Sequence, residues 1–450
     1  MSAENIASAM PSKTGWSAYK KYVIGILLVV YTLNFIDRQI IAILSPAIKA
    51  DLGVSDTELG LLKGFAFAMF YAIFSIPIAR LADKSNRVNI ISISIVFWSA
   101  MTAICGAAAN FWQLAMARIG VGIGEAGCSP PAHSLVSDYF RKEERATALG
   151  IYSLGIPIGS LFGILLGGWL VVNLGWRWTF VAVGVPGILL GLLVKLTLKE
   201  PKRGAAEVAQ STIAAPDLPK APEVRASLTK TFQTIWGIKS FRYLIYGSAL
   251  VSFAIFGFQL WMVDFIFRTH GLTIDKLTVP LALGLGVGGG IGTVAGGAIC
   301  DRWVKKDFRH YFTFLAIVHT LSVPLYIFSM WTSSSTLCFV VLFFVFMLHS
   351  SVAGPCYALV QNLSPLKMRA FAAALYLFVL SAIGQGFGPV YIGGMSDFLA
   401  GSMGEADGLQ VAMISLAPIW LLAAFIFWRG RQYLAQDIHN ADPNSTAPFG

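Results

Sequence analysis

Residues 22–44 read YVIGILLVVYTLNFIDRQIIAIL. At about 1.5 Å per residue this run is long enough to cross roughly 30 Å of hydrocarbon as one helix. It is apolar except near its centre, where Asn34-Phe-Ile-Asp37-Arg38 puts an amide, an acid and a base at membrane depth. Ionisable groups are costly there, and by default they mark a substrate or ion path. The stretch predicts a transmembrane helix that uses its charges.

Runs of the same kind recur along the chain: Glu58 to Leu81, Val88 to Ala109, Trp112 to Tyr139, Ala146 to Val172 and Trp178 to Leu198, then Phe241 to Phe267, Leu277 to Cys300, Phe308 to Trp331, Ser335 to Leu363, Phe371 to Phe398 and Leu409 to Trp428. With 56% hydrophobic and 12% charged residues over 450, the composition excludes a soluble domain. The expectation is an all-α integral membrane protein of twelve transmembrane helices in two six-helix bundles. Glu200 to Lys239 lacks a sustained apolar period and reads as a soluble linker. The predicted organisation is a tail (1–21), a first bundle (22–198), a linker (199–239), a second bundle (240–430) and a second tail (431–450).

The net charge of +10 reads as a topology signal, not as a nucleic-acid footprint. With the amino terminus in the cytoplasm, roughly 26 of the Lys and Arg fall on cytoplasmic segments and about five on outer loops. Both termini are then cytoplasmic, in a cell (inner) membrane surrounded by lipid, and the first helix doubles as the targeting signal. Cys105, Cys128, Cys300, Cys338 and Cys356 lie in or at the ends of predicted helices without metal spacing and read as packing residues. No metal or cofactor is expected.

The second half repeats the first. One register lays Glu125 on His349, Pro131 on Pro355, Asp138 on Asn362, Arg145 on Arg369 and Tyr152 on Tyr376. A nearby register lays Ala79-Arg-Leu-Ala-Asp83-Lys84 on Gly297-Ala-Ile-Cys-Asp301-Arg302. Repeated bundles with a binding site near the midplane between them are a common architecture of secondary transporters.

The loop Asp83-Lys84-Ser85-Asn86-Arg87 and its partner Asp301-Arg302 to Lys305-Lys306 resemble the cytoplasmic signature of the major facilitator superfamily, departing from its glycines at Ala79 and Asn86. Asn34-Phe-Ile-Asp37-Arg38, Ala117-Arg118-Ile-Gly-Val-Gly122-Ile-Gly124-Glu125-Ala126 and Gly155-Ile-Pro157-Ile-Gly159-Ser160 resemble the Spinster family of lipid transporters, mainly over the first 180 or so residues. The organic anion:cation symporters share the Asp-Arg and Gly-Glu-Ala elements. The first resemblance implies a cytoplasmic charge lock, to which Asp83, Arg87, Asp138, Arg145, Asp301 and Arg369 are assigned. It also implies a monomer. The second implies lysophospholipid or sphingoid-phosphate cargo.

Depth arithmetic brings the charges together. Asp37 lies about 22 Å along a helix starting near Tyr22, about 8 Å below the outer hydrocarbon edge, and Arg118 on the oppositely directed fourth helix lies roughly 9 Å below it. Glu125 follows Arg118 by two turns on the same face, about 10 Å deeper. In this reading Asp37 is the protonation switch, and Arg118 alternates between Asp37 and an anionic head group. Glu125 tunes Arg118 or meets a cationic head group. Arg38 stays near Asp37 or supports the substrate anion, and Asn34 bonds substrate or bridges helices. A static network fixing helix packing is the competing account. His349 is a substrate-site candidate as the counterpart of Glu125, whereas His133 and His319 read as packing histidines. Asp264 and Arg268, four apart, form either an outer gate or an interfacial pair.

The charges sit in the first half, whereas the seventh, tenth and eleventh helices offer mainly aromatic and aliphatic side chains such as Phe253, Phe256, Trp261, Phe343 and Phe378. Such a cavity suits an amphipathic molecule moved with protons by alternating access. The alternative is a proton-coupled symporter of a small organic anion, a sugar acid or aromatic acid, with Arg118 clamping its carboxylate. No nucleophile–base constellation points to an enzyme.

Overall fold

The computed structural model describes residues 16–82, 84–203, 228–365 and 368–441, all helix and connecting turns. Asp83, residues 1–15 and 442–450 of the tails, and residues 204–227, most of the expected linker, lie outside the described residues. The spans are α1 (Ala18–Leu52), α2 (Asp56–Ala82), α3 (Arg87–Cys105), α4 (Phe111–Glu125, continued by Ser129–Tyr139), α5 and α6 (one run, Gly155–Thr197, turned at Gly175), α7 (Lys239–Thr269), α8 (Ile274–Val304), α9 (His310–Trp331), α10 (Ser335–Leu363), α11 (Phe371–Met403) and α12 (Glu405–Asn440). Ten of the described runs are individually long and apolar enough to cross a membrane. The other two spans hide because α5 and α6 are continuous, and because α4 is broken into pieces of 15 and 11 residues.

Local chemistry sets the boundaries. Ser17 caps the start of α1, and Gly53, with φ of +63°, ends it by donating its N–H to the Lys49 carbonyl. Ser55 and Glu58 then form a reciprocal capping box that starts α2. The break in α4 precedes Pro130 and Pro131, which lack the N–H a continuing helix needs but suit the first turn of a new one. Leu228–Gly237, within the expected linker, forms a helix; at ten residues it is too short for periodicity to reveal.

Burial follows packing, not hydrophobicity, because both lipid and core are apolar. On α1, Val23, Leu27 and Val30 recur at helical spacing and are fully buried, whereas the adjacent Val29 is 47% exposed. The first six spans pack on one another, as do the last six. The halves meet where α1 faces α7, α2 faces α11 and α5 faces α8. At the α2–α11 contact both helices widen into π-turns, Leu61–Phe65 and Leu380–Phe387. A Cβ on Gly60 would stand 2.5 Å from the Pro389 carbonyl oxygen, so this contact requires glycine.

The internal repeat survives as a bond. Arg145 donates its Nε–H to the carbonyl of Phe140 (3.2 Å), and Arg369 donates likewise to Ser364 (3.4 Å), each five residues back across the turn after the fourth or tenth span.

Candidate functional site

Four charged side chains of the first half meet as two crossed pairs. Asp37 on α1 accepts from Arg118 on α4 at 3.4 Å and from the Thr102 hydroxyl on α3 at 2.6 Å. The next residue, Arg38, donates its Nε–H to Glu125 on α4 at 2.7 Å. Glu125 thus serves Arg38, and its expected partnership with Arg118 is replaced. The reason is rotational: consecutive residues on α1 point about 100° apart, and each base or acid takes the nearest opposite charge on α4. Aromatic rings hold the guanidinium groups in place. Arg38 lies 5.1, 5.0 and 4.8 Å from the ring centres of Phe35, Phe67 and Tyr71, and Arg118 lies 5.5 Å from Phe67. Gly122 lets α4 approach this ring's backbone, since a Cβ there would stand 2.5 Å from the Phe67 carbonyl oxygen.

These pairs leave polar capacity unused. Asn34, Asp37, Arg118 and Glu125 are all buried. Both amide atoms of Asn34, Nε of Arg118 and Oε1 of Glu125 have no hydrogen-bond partner. A buried polar atom left unpaired costs about 1–3 kcal/mol.

His349 is placed elsewhere. It is drawn into the second half, 5.7 Å from the His319 ring centre and 4.5 Å from that of Trp420, and neither histidine's nitrogens have a partner. His133 stands edge-on to Tyr152 at 5.3 Å.

The residues assigned to the charge lock divide. Arg87 pairs with Asp138 (2.5 Å) and Glu200 (2.7 Å) and bonds Ser134, all in the first half or at the linker's start. Arg145 and Arg369 make the turn bonds described above, and Asp301 is exposed.

A second charged layer, at the end away from the termini, ties the halves together. Arg268 on α7 grips Asp56 on α2 through both terminal nitrogens, at 2.6 and 2.7 Å. Asp56 also accepts from Ser396 on α11 (2.7 Å) and Lys49 on α1 (2.9 Å), and Lys49 reaches Glu405 on α12 (2.9 Å). Asp397 accepts from the backbone N–H groups of Asp56 and Thr57. One layer deeper, Lys63 on α2 meets Asp264 on α7 at 2.5 Å, over the ring of Trp261 at 3.7 Å, while Ser45 donates to the same carboxylate at 2.6 Å. Asp264 and Arg268, expected as an outer gate or an interfacial pair, form an ion pair at 3.8 Å and make their shorter bonds to the other half, to Lys63 and Asp56. Sequence reading missed Lys63, Asp56 and Lys49. Lys63 carried a signal, being a lone lysine inside the apolar second run. Asp56 and Lys49 lie at helix ends, where charges are ordinary.

A groove of about 530 Å³ between α9 and α12, lined by Ile317, Leu321, Leu421, Phe425 and Trp428, includes none of these charges in its wall and is mostly apolar.

Known proteins resemble this chain in sequence and fold. The family model described as Major Facilitator Superfamily matches residues 27–389. An MFS-type efflux pump of Mycolicibacterium smegmatis is 30% identical, with 95% of each chain covered. A sphingosine-1-phosphate transporter of Xenopus tropicalis is 25% identical over 95% of this chain and 83% of its own. A probable L-galactonate transporter of Escherichia coli is 24% identical over 81% and 80%. Among solved structures, a bacterial homologue of the human lysosomal transporter Spinster, in an inward-facing and unoccupied conformation, superposes with a TM-score of 0.82 at 30% identity, covering 94% of this chain and 99% of that one. The helical architecture, the repeat and these likenesses converge: the chain belongs to the major facilitator superfamily, as a multi-pass membrane transporter resembling Spinster.

Proposed function

We propose that this transporter moves an amphipathic, lipid-like molecule of the lysophospholipid or sphingoid-phosphate type by alternating access, coupled to protons through Asp37. The observation that carries the reading is the unspent hydrogen-bond capacity beside the two crossed pairs. Asn34, Arg118 and Glu125 keep free atoms next to charges that are otherwise matched, as a site awaiting a polar head group would. Protonating Asp37 removes the charge Arg118 faces and frees that guanidinium for an anion. Arg38, boxed by three rings and tied to Glu125, positions the second pair. The aromatic side chains of the second half supply a surface for an apolar tail.

With both termini in the cytoplasm of a cell membrane, the layer of ion pairs between the halves closes the outer side, so the arrangement is inward-facing. Arg87, Asp138, Arg145, Asp301 and Arg369 are then positioned to lock the cytoplasmic side in the opposite state, and the unit is a monomer. A specific observation keeps a second cargo in play: relatives include the probable L-galactonate transporter and a hexuronate transporter of Bacillus subtilis, 26% identical over 65% of this chain. In that reading Arg118 clamps a small carboxylate.

The test is uptake into proteoliposomes offered lysolipids and small organic acids, with and without an imposed pH gradient. Gradient-driven uptake is expected for the lipids and is expected to vanish in a folded Asp37→Asn variant. Unaltered gradient-driven uptake by that variant removes Asp37 as the switch, and uptake of organic acids alone selects the second cargo.

A further inference from the structure

Lys63 has a problem that the closed outer side hides. Its ammonium is fully buried, and its partners, the Asp264 carboxylate and the Trp261 ring, both belong to α7. When α7 parts from α1 and α2 it takes both away in one movement.

Asp397 and Glu405 also lose partners of the first half, but neither is buried; the buried charges of that layer other than Lys63 keep partners within their own half. Asp264 has Arg268 one turn along the same helix, already 3.8 Å away. Asp56 keeps Lys49 at 2.9 Å. Deeper in the first half, Asp37 keeps Arg118, and Glu125 keeps Arg38. At membrane depth this half therefore holds three cations, Arg38, Lys63 and Arg118, against two acids, Asp37 and Glu125. Asp264 supplies the missing negative charge while the halves are joined. Once they part, Lys63 is the cation of this group without an acid from its own half, and a single uncompensated cation on the wall of a narrow, low-dielectric vestibule concentrates anions beside it.

We propose that Lys63 is an anion site of the outward-open state: it binds the phosphate or carboxylate of the transported molecule, and Asp264 displaces that anion as the halves close. Phe67, four residues on and on the same face of α2, lies under the guanidinium groups of Arg38 and Arg118. An anion displaced from Lys63 thus meets the next cations about one helical turn deeper. The inference rests on the alternating-access reading and its orientation in the membrane; neither the lipid cargo nor proton coupling is needed for it.

The test is equilibrium binding to protein in nanodiscs, without any gradient, so its outcome is separate from that of Asp37→Asn. The probes are dodecyl phosphate, gluconate and the uncharged dodecyl maltoside. Asp264→Asn removes the resident acid and is expected to bind an anionic probe about tenfold tighter than the unaltered protein, the gain shrinking with salt. The double variant Lys63→Met/Asp264→Asn, which leaves no buried unpaired charge and serves as the folding control, is expected to lose the gain. Lys63→Arg/Asp264→Asn is expected to keep it. A gain for dodecyl phosphate alone assigns the site to lipid-like anions, and one for gluconate alone to small acids. No gain with either anion, an equal gain for dodecyl maltoside, or a gain that survives Lys63→Met overturns the proposal.

Discussion

Replacing Arg268 by Gln tests whether the charged layer away from the termini holds the halves together. The guanidinium makes two short bonds to Asp56, at 2.6 and 2.7 Å, and is only 11% exposed. Each charge-assisted bond is worth about 1.5–3 kcal/mol net, and a glutamine recovers at most one neutral bond of about 1 kcal/mol. Allowing for water at this rim, the loss to the closed arrangement is about 2 kcal/mol, or about 30-fold in its population relative to one where the halves have parted. Asp56 keeps Ser396 and Lys49, so the substitution strands no acid and the protein is expected to fold. The assay is electron–electron distance measurement between spin labels on Trp112→Cys and Met403→Cys. These sites are exposed, at 74% and 51%, at the same end of opposite halves, and the five native cysteines are buried. A second, longer distance population is expected in Arg268→Gln. An unchanged distribution in a variant with normal helicity and melting would refute the idea that this ion pair decides which arrangement prevails.

Arg87→Gln is the contrasting case: all its described partners lie within the first half or at the linker's start, so the melting temperature is expected to fall with no change in the label distance. Gly64→Ala would put a Cβ 2.5 Å from the Gln385 carbonyl oxygen at the α2–α11 contact; this is expected to lengthen the label distance and depress uptake, and normal uptake would count against that contact having to close. His349→Phe fills a similar volume without two unpartnered nitrogens and is expected to raise the melting temperature while leaving transport intact. Lost transport with unchanged melting would instead put the imidazole in the cargo's path.

What the sequence disclosed was depth and composition; what it withheld was rotation. Counting residues from the helix starts put Asp37 and Arg118 level, and they meet at 3.4 Å. The same arithmetic gave no azimuth, so the bond from Arg38 to Glu125 was not foreseen. The π-turns at Leu61–Phe65 and Leu380–Phe387 leave no residue pattern of their own and arise where two helices press together. Lys63 was legible by the reasoning that singled out Asp37, but its partner lies 201 positions away, and only the packing of α2 against α7 joins them. The break in α4 was written in Pro130 and Pro131, although hydropathy smoothed it over.

The paired bonds from Arg145 to Phe140 and from Arg369 to Ser364 fix the length of two elbows. One residue inserted into either would turn the helix beyond it by about 100°. In the first half that would swing Tyr152 off its stack on Tyr31, now 4.3 Å between ring centres. In the second it would pull the Tyr376 hydroxyl from Ser248, now 3.2 Å away. These bends therefore tolerate changes of side chain more readily than changes of length, unlike most surface connections, and an insertion scan of the chain should find its least forgiving short loops here.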